Sequence, residues 1–197
     1  MKIKIGITGG IGSGKSTVAK IIETLGYPVY YSDQRAKELM NSSDEIKEEL
    51  NNHFGLDFYS EGSLNRKLLA DKIFQNKDEL TFVNQLVHPI VRQDFYLWSE
   101  NQSSKIVFQE SALLFETGNE KNFTATLLIT ASDELRIQRV MKRDNCSRAS
   151  VLERMKNQLP ESEKRSKATF IIENNESESV IQQTLTIVDK IKKANQI

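Results

Sequence analysis

The sequence is poor in residues that cross-link chains or hold metal ions. It contains one cysteine, Cys146, and two histidines among its 197 residues. A single cysteine cannot form an internal disulfide bond or a cysteine zinc site, and the two histidines lack paired ligand spacing. This composition is typical of a reducing compartment, so we expect a cytoplasmic protein without a structural metal ion.

The chain also lacks an excess of charge of one sign and any long apolar segment. It has 27 Lys and Arg residues against 27 Asp and Glu residues, so we expect no basic surface for nucleic acid and no attraction to an anionic bilayer. The N-terminus, MKIKIGITGG, reaches glycines too early for a secretion signal, and no stretch approaches the roughly 18 apolar residues of a membrane span. We therefore expect neither a nucleic-acid partner nor a membrane partner.

Short apolar runs rich in β-branched or aromatic residues predict strands, and helical patterns separate them. The predicted strands cover residues 3–7, 29–31, 106–108, 126–129 and 170–172. Alternation of strands with helices favours an α/β fold with a parallel sheet and flanking helices.

The first and last helices carry the clearest apolar stripes. Residues 18–25 keep helical spacing after the first strand, and Gly26 signals the end of that helix. Residues 180–191 repeat the pattern near the C-terminus, and Ser177 is the predicted N-cap.

Two segments do not fit a simple crossover. Residues 34–101 are helix-patterned, with breaks at 41–43 and 55–62 and a helix boundary at His88-Pro89, and they predict an inserted helical acceptor subdomain. Residues 143–165 are rich in both signs of charge and predict a mobile lid.

The remaining segments would form the core of one domain. They cover residues 1–33, 102–142 and 166–197.

The strongest motif is a phosphate loop. Residues 9–16 read GGIGSGKS, a full match to GxxxxGK[ST] between a predicted strand and a predicted helix. Glycines let backbone N–H groups approach phosphate oxygens at the positive end of a helix dipole. Lys15 would neutralise the β- and γ-phosphates, and the Ser16 hydroxyl would be a ligand of Mg²⁺. The predicted nucleotide-binding residues are Gly10, Gly12, Ser13, Gly14, Lys15, Ser16 and Thr17.

The loop does not by itself separate a kinase from a motor, a transporter subunit or a GTP switch. No glycine has an Asp three residues before it, and no NKxD string is present to read guanine. ATP is the better candidate, and transfer to a small acceptor suits a chain of this length.

A series of further motifs resembles the dephospho-CoA kinase family. The motifs are TGGIGSGKSTVA, LGYPVYYSD, FG, EGSLNRKLLADKIF, LVHPIVR, LLFE, QRVMKRDNCSR and IIEN. They occur in the family's order and at family-like spacing from about residue 3 to residue 174, and EGSLNR and HPIVR discriminate better than the phosphate loop. The resemblance implies a P-loop kinase fold: a five-stranded parallel sheet, a helical acceptor domain and an arginine-bearing lid. It also implies ATP-dependent phosphorylation of the ribose 3′-hydroxyl of dephospho-CoA, the last step of coenzyme A synthesis.

The chain departs from the family pattern at three places. Tyr31 stands where the family usually has an Asp, two residues before the position matching Asp33. Residues 110–112 are Glu-Ser-Ala where many members have Asp, a small apolar residue and Pro, and Thr169 replaces an Asp. None of these positions lies in the phosphate loop, so the reaction class is unaffected.

Carboxylates that follow predicted strands are candidates for chemistry. Asp33 matches the family's catalytic aspartate and would orient the acceptor hydroxyl and take its proton; alternatively, Asp33 or Ser32 caps the next helix. Glu110 would hold a magnesium-bound water or cap the next turn. Glu116 has the same ambiguity, and we assign it to the substrate side.

Three arginines are candidates for charge stabilisation. Arg139 and Arg143 are four residues apart on one predicted helix, and Arg148 follows in the predicted lid. Guanidinium groups suit the oxygens of a transferring phosphoryl group, although a solvated helix face has the same pattern. By family position we assign Arg139 and Arg143 to catalysis and Arg148 to the lid.

His88 and Arg92, both in the HPIVR motif, are candidates for substrate binding. His88 is alternatively a packed or capping residue, and Arg92 would pair with phosphates of the acceptor. Two other functions stay open at this point: another small-metabolite or nucleoside monophosphate kinase of the same fold, and a regulator that binds ATP without transferring it. The oligomeric state is also open.

Overall fold

The computed structural model describes residues 2–55, 58–60, 62–73 and 76–196. The chain divides into two compact units. The first combines the N-terminal segment up to Tyr30 with the chain from Gln102 onward, and the second is Tyr31–Asn101.

The five predicted strands are confirmed, and most are slightly longer than predicted. In chain order the strands are β1 (Ile3–Gly9), β2 (Val29–Tyr31), β3 (Tyr59–Ser60), β4 (Ser63–Leu64), β5 (Ile106–Glu110), β6 (Ala125–Thr130) and β7 (Phe170–Glu173). The α-helices are α1 (Lys15–Thr24), α2 (Ser32–Ser42), α3 (Asp44–Phe54), α4 (Arg66–Ile73), α5 (Lys77–Glu100), α6 (Asp133–Asp144), α7 (Arg148–Lys156), α8 (Glu161–Lys167) and α9 (Val180–Ala194). A 3₁₀ turn covers Asn119–Asn122.

The main sheet has five parallel strands in the order β2-β5-β1-β6-β7. β1 is central and pairs with both β5 and β6, with Ile7 opposite Glu110 on one side and opposite Leu127 on the other. The middle of β1 is buried on both faces, which explains why the central strands read as continuous apolar runs. Because the strands are parallel, the loops after β1, β5, β6 and β7 leave the same edge of the sheet.

The first and last helices, α1 and α9, agree with the prediction except at one helix cap. Val18 and Ile22 are buried on α1, and Gly26 follows that helix with a φ angle of 87°, in agreement with the stop signal. The predicted cap of the last helix was wrong. Ser179, not Ser177, accepts the hydrogen bond from the Gln182 amide, because the cap residue directly precedes the first helical residue.

The second unit consists of α2 to α5 and a short hairpin. Ser43 caps α3, and Gly55 ends it with a φ angle of 61°, so the predicted breaks in this segment correspond to real helix ends. The hairpin of β3 and β4 was not predicted, because two-residue strands are too short to show an alternating pattern. Residues 56, 57 and 61 of the predicted break at 55–62, and Glu61 and Phe74 of the motif EGSLNRKLLADKIF, lie outside the described residues.

The predicted helix boundary at His88-Pro89 was wrong. Helix α5 is 24 residues long, and Pro89 lies inside it. Its buried stripe repeats every four residues on both sides of the proline, so packing within the unit outweighs the loss of one backbone hydrogen bond.

The segment predicted as a mobile lid forms α7, α8 and the turn between them. Val151 on α7 is fully buried against Ile137 and Val140 of α6, and Cys146 packs at the edge of this cluster. Lys164 on α8, one of the charges that suggested a solvated flap, is only 2% exposed. Among the described residues no helix is both long and apolar enough to cross a membrane.

Candidate active site

The phosphate loop occupies the turn between the end of β1 and the start of α1. Gly12 and Gly14 have φ angles of 79° and 99°, in the left-handed region that favours glycine. Within the described residues, the N–H groups of Gly12, Gly14 and Ser16 donate to no protein acceptor. These donors lie at or just before the positive end of the α1 dipole, so the loop is suited to bind an anion.

Lys15, the first residue of α1, extends back along the loop. Its Nζ donates to the carbonyl oxygen of Gly9 at 2.9 Å and to that of Gly10 at 3.4 Å. The ammonium group is therefore already held beside the backbone that would surround a phosphate.

The other predicted nucleotide-binding side chains differ in exposure. Ser16 and Thr17 are exposed in the first turn of α1. Ser13 is buried, and its Oγ has no hydrogen-bond partner among the described residues. Ser16 is thus the accessible hydroxyl that follows the lysine.

Arg136, which the sequence analysis missed, supports the loop from α6. It is 6% exposed, and its Nε donates to the carbonyl oxygen of Ile11 at 3.0 Å. A Cβ atom at Gly10 would lie 2.1 Å from Arg136 Nη2, so the guanidinium packs where only glycine leaves room. The available signal was spacing, because Arg136 lies three residues before Arg139 on the same helix.

Asn174, also missed, joins the loop to Arg139. Its Nδ2 donates to the carbonyl oxygen of Ser13 at 2.8 Å, and its own carbonyl oxygen accepts from Arg139 Nη2 at 3.1 Å. A Cβ atom at Gly14 would lie 2.2 Å from Asn174 Nδ2. Asn174 directly follows β7, and a polar residue at the carboxyl end of a predicted strand was the available signal.

The three predicted arginines have different partners. Arg139 pairs with Glu176 at 3.1 Å, and its Nη1 is buried without a hydrogen-bond partner in the part of the chain that the structure describes. Arg143 instead pairs with Asp144 at 2.6 Å, and Arg148 pairs with Glu134 at 2.8 Å. Of these three arginines, Arg139 alone is connected to the phosphate loop by hydrogen bonds among the described residues, through Asn174.

Asp144 receives two guanidinium groups. Hydrogen bonds from Arg143 and then Arg154 hold the pKa of this carboxyl far below its ordinary value, so it stays ionised. The hydrogen bond that Arg143 donates to Asp144 also raises the pKa of Arg143. Arg143 is therefore held in this pair through its Nε and Nη2 atoms.

The two candidate carboxylates after β5 have different surroundings. Glu110 is the last residue of β5, opposite Ile7 of β1. Glu116 Oε1 lies 2.6 Å from Lys164 Nζ and accepts the Leu159 amide at 3.0 Å. Through Oε1, Glu116 therefore attaches α8 and Leu159 to the turn after β5. Its Oε2 is buried without a hydrogen-bond partner among the described residues.

In the second unit, Asp33, His88 and Arg92 lie on two helices that pack together. Asp33 is exposed in the first turn of α2, whose cap residue is Tyr31 with no side-chain cap hydrogen bond, so the alternative that Ser32 or Asp33 caps this helix is not realised. Burial lowers the pKa of His88, and the positive charge of Arg92 lowers it further, while Asp33 acts in the opposite direction. His88 is therefore neutral at pH 7, with one ring nitrogen as donor and the other as acceptor.

Thr169, which replaces an Asp of the family pattern, is used structurally. Its Oγ1 accepts the amide of Thr126 at 3.1 Å, and its own amide donates to Thr126 Oγ1 at 3.0 Å. This reciprocal pair joins the start of β6 to the residue before β7. The substitution therefore leaves no unpaired group at this position.

Comparisons with known proteins agree with this geometry. A family profile described as dephospho-CoA kinase matches residues 3–179. The chain is 38% identical to a dephospho-CoA kinase from Bacteroides fragilis, over 95% of the chain and 92% of that protein. A crystal structure of a Thermus thermophilus protein has 39% identity and a TM-score of 0.86, over 96% of this chain and 97% of that one. The structure of a dephospho-CoA kinase from Campylobacter jejuni has 29% identity and a TM-score of 0.70, over 99% of this chain and all of that one.

These likenesses extend over nearly the full length of the chain and include both units. They confirm the P-loop kinase fold that the sequence motifs implied. A phosphate loop between β1 and α1, in a chain matched almost end to end by one family, leads to a single assignment: this chain belongs to the dephospho-CoA kinase family.

Proposed function

We propose that this chain transfers the γ-phosphoryl group of ATP to the ribose 3′-hydroxyl of dephospho-CoA, giving CoA and ADP. The observation that carries the proposal is the phosphate loop, in which the amides of Gly12, Gly14 and Ser16 have no acceptor in the described chain. Family membership supplies the acceptor, because the relatives that match over almost the whole chain are named dephospho-CoA kinases. ATP is the donor that this family uses.

The loop would bind the triphosphate by its backbone and by Lys15. Unpaired N–H groups and the α1 dipole favour the phosphate charge. When ATP binds, we expect Lys15 Nζ to exchange the carbonyl oxygens of Gly9 and Gly10 for β- and γ-phosphate oxygens. This exchange would neutralise charge at the bond that breaks.

The donor set fits magnesium. The Ser16 hydroxyl and the Glu110 carboxylate are hard oxygen ligands; Ser16 lies beyond the end of β1, and Glu110 is the last residue of the adjacent strand β5. The described residues contain no cluster of three His, Cys, Asp or Glu side chains for a metal, so these two groups would bind together with phosphates and water, which is usual for Mg²⁺. When bound, the ion would spread the negative charge of the transferring group.

Asp33 is the proposed base. As the acceptor oxygen forms its bond to the γ-phosphorus and the bond to ADP breaks, Asp33 would take the proton of the 3′-hydroxyl. Neutral His88 would donate or accept a hydrogen bond to dephospho-CoA, and exposed Arg92 would pair with one of its phosphates.

Arg139 is the proposed main cation for the transferring group. Its connection to the loop through Asn174 and its unpartnered Nη1 support this role. Arg143 and Arg148 would stabilise the charge of the transferring group after breaking their ion pairs with Asp144 and Glu134. Glu116 would bind the acceptor substrate through Oε2. A cytoplasmic location and a lid function for residues 143–165 stay predictions.

The test is acceptor-dependent ADP release by the full chain with Mg²⁺ and ATP. Dephospho-CoA, shikimate, gluconate and CMP are compared at equal concentration, with a reaction lacking acceptor as the blank. We expect strong preference for dephospho-CoA, with CoA as the product. Preference for another acceptor would point to a different metabolite kinase, and ATP binding without turnover on any acceptor would point to a nucleotide-binding regulator.

A further inference from the structure

The side chain of Gln158 joins the phosphate loop to the turn that follows β5. Gln158 lies in the turn between α7 and α8 and is half-buried. Its Oε1 accepts a hydrogen bond from the Ile11 amide in the phosphate loop at 2.8 Å. Its Nε2 donates to the carbonyl oxygen of Ala112 at 3.4 Å.

The two loops begin side by side. β1 and β5 are hydrogen-bonded neighbours, with Ile7 opposite Glu110, so the phosphate loop and the turn that starts at Ser111 leave the same edge of the sheet. One loop carries the unpaired phosphate-binding amides, and the other follows the proposed magnesium carboxylate. The Gln158 side chain accepts from one loop through Oε1 and donates to the other through Nε2, so it fixes the separation of the two loops.

The backbone beside Gln158 is also held. The Gln158 amide donates to the carbonyl oxygen of Met155 at 3.1 Å, and the next amide, Leu159, donates to Glu116 Oε1 at 3.0 Å. Glu116 in turn lies 2.6 Å from Lys164 Nζ. Because the backbone is fixed, the side chain is presented to Ile11 with little freedom left to lose.

We propose that Gln158 is a positioning residue for the nucleotide: by holding the Ile11 peptide, it orients the adjacent Gly12 amide toward the phosphates and sets the spacing to the β5 turn. The Ile11 amide, taken by Gln158, is not itself a phosphate ligand. The inference rests on the proposed function only in that the nucleotide is ATP. Nothing in the sequence pointed to this residue, since its partners are 46 and 147 positions away.

The test compares substrate affinities in the full chain. Gln158→Met keeps the length of the side chain but removes both hydrogen bonds. We expect Mg-ATP to bind about fivefold to tenfold more weakly, the effect of roughly one net hydrogen bond, while the dissociation constant of dephospho-CoA changes less than twofold. Isothermal titration calorimetry measures both, and steady-state kinetics should show the same split in the two KM values.

Two further variants make the comparison decisive. Gln138→Met, on the exposed surface of α6, is the matched control and should bind both substrates as the wild type does. Gln158→Asn stays polar but is one methylene too short to reach both partners, and it decides the question if Gln158→Met fails to fold. ATP affinity within twofold of wild type in the folded variants, or equal weakening for both substrates, would overturn the proposal.

Failure of this inference can be told apart from failure of the proposed function. The ATP measurement needs no acceptor, so it judges Gln158 whichever alcohol is phosphorylated. Wild-type protein that binds ATP but leaves dephospho-CoA unchanged would sink the proposed reaction, and the ATP affinities of the Gln158 variants would still decide the positioning role.

Discussion

Lys15 is the charged side chain of the phosphate loop. It donates to the carbonyl oxygens of Gly9 and Gly10, both within the phosphate loop. We expect Lys15→Met to lower kcat by at least about a hundredfold, because a preorganised cation at the breaking bond is lost, while the unfolding temperature changes little.

Lys20→Met is the matched control for this variant. Lys20 is exposed on the same helix, so its replacement should leave turnover within about twofold of wild type. The measurement is ADP release with dephospho-CoA, together with circular dichroism. Near-normal activity of Lys15→Met would remove Lys15 from the mechanism.

Two glycines with similar φ angles separate backbone strain from collision. Gly12 has a φ of 79°, and an added Cβ would lie 2.5 Å from the Arg136 carbonyl oxygen; Gly26 has a φ of 87° with nothing within 4 Å. We expect Gly26→Ala to cost about 1–2 kcal/mol of unfolding free energy, and Gly12→Ala to cost at least about 1 kcal/mol more.

Urea unfolding measures both free energies, and ATP binding supplies the second readout. Gly12→Ala should also lose ATP affinity, because Arg136 and the loop must move apart, whereas Gly26→Ala should retain it. Equal losses of unfolding free energy in the two variants would mean that the loop accommodates the added Cβ atom without a collision.

At the scale of secondary-structure elements, a buried ion pair attaches α8 to the turn after β5. Lys164 is 2% exposed and Glu116 is 13% exposed, with 2.6 Å between Nζ and Oε1. Removing one partner leaves a buried charge, so we expect Lys164→Met to destabilise the protein by about 3–5 kcal/mol. Lys156→Met breaks a pair of similar length between two exposed side chains of α7, Lys156 and Glu153, and should change stability by no more than about 0.5 kcal/mol.

Chemical denaturation of the two lysine variants gives the comparison. The double variant Lys164→Met, Glu116→Gln should recover part of the loss, because no charge is then left unpaired in the interior. If Lys164→Met were no more damaging than Lys156→Met, the buried pair would not be what holds α8.

Sequence patterns located most elements because the relevant interactions are local. Alternating strands and helices follow from apolar periodicity, and Gly26 and Ser43 mark helix ends through backbone and capping preferences. Pro89 misled the prediction because its effect is decided by packing along α5, which a local pattern does not contain. The β3–β4 hairpin was missed because its strands have two residues each.

At the scale of the whole molecule, nucleotide binding should appear as stability. A ligand that binds only the folded state at a hundred times its Kd adds about 2.7 kcal/mol, and for a chain of this size this raises the unfolding temperature by roughly 5–11 °C. We expect this shift with Mg-ATP in the wild type and a much smaller one in Lys15→Met. Thermal unfolding with and without Mg-ATP measures it, and equal shifts in both proteins would place the nucleotide elsewhere.

The sequence by itself determined the phosphate loop, the parallel α/β sheet and the family. These features depend on residues close together in the chain: glycines that permit left-handed turns, a lysine beside them, and apolar runs with a fixed period. Short motifs in a fixed order were sufficient to indicate the acceptor.

Only the tertiary structure decided what supports the loop and which charges are paired. The backbone of residues 11–13 is held by Arg136, Gln158 and Asn174, and these contacts join positions that lie 125 to 161 residues apart in the chain. Whether Lys164 is solvated or buried, and whether Arg143 is paired, depends on which helices pack against which turns. Such contacts arise from the packing of distant segments, and for that reason a linear pattern cannot contain them.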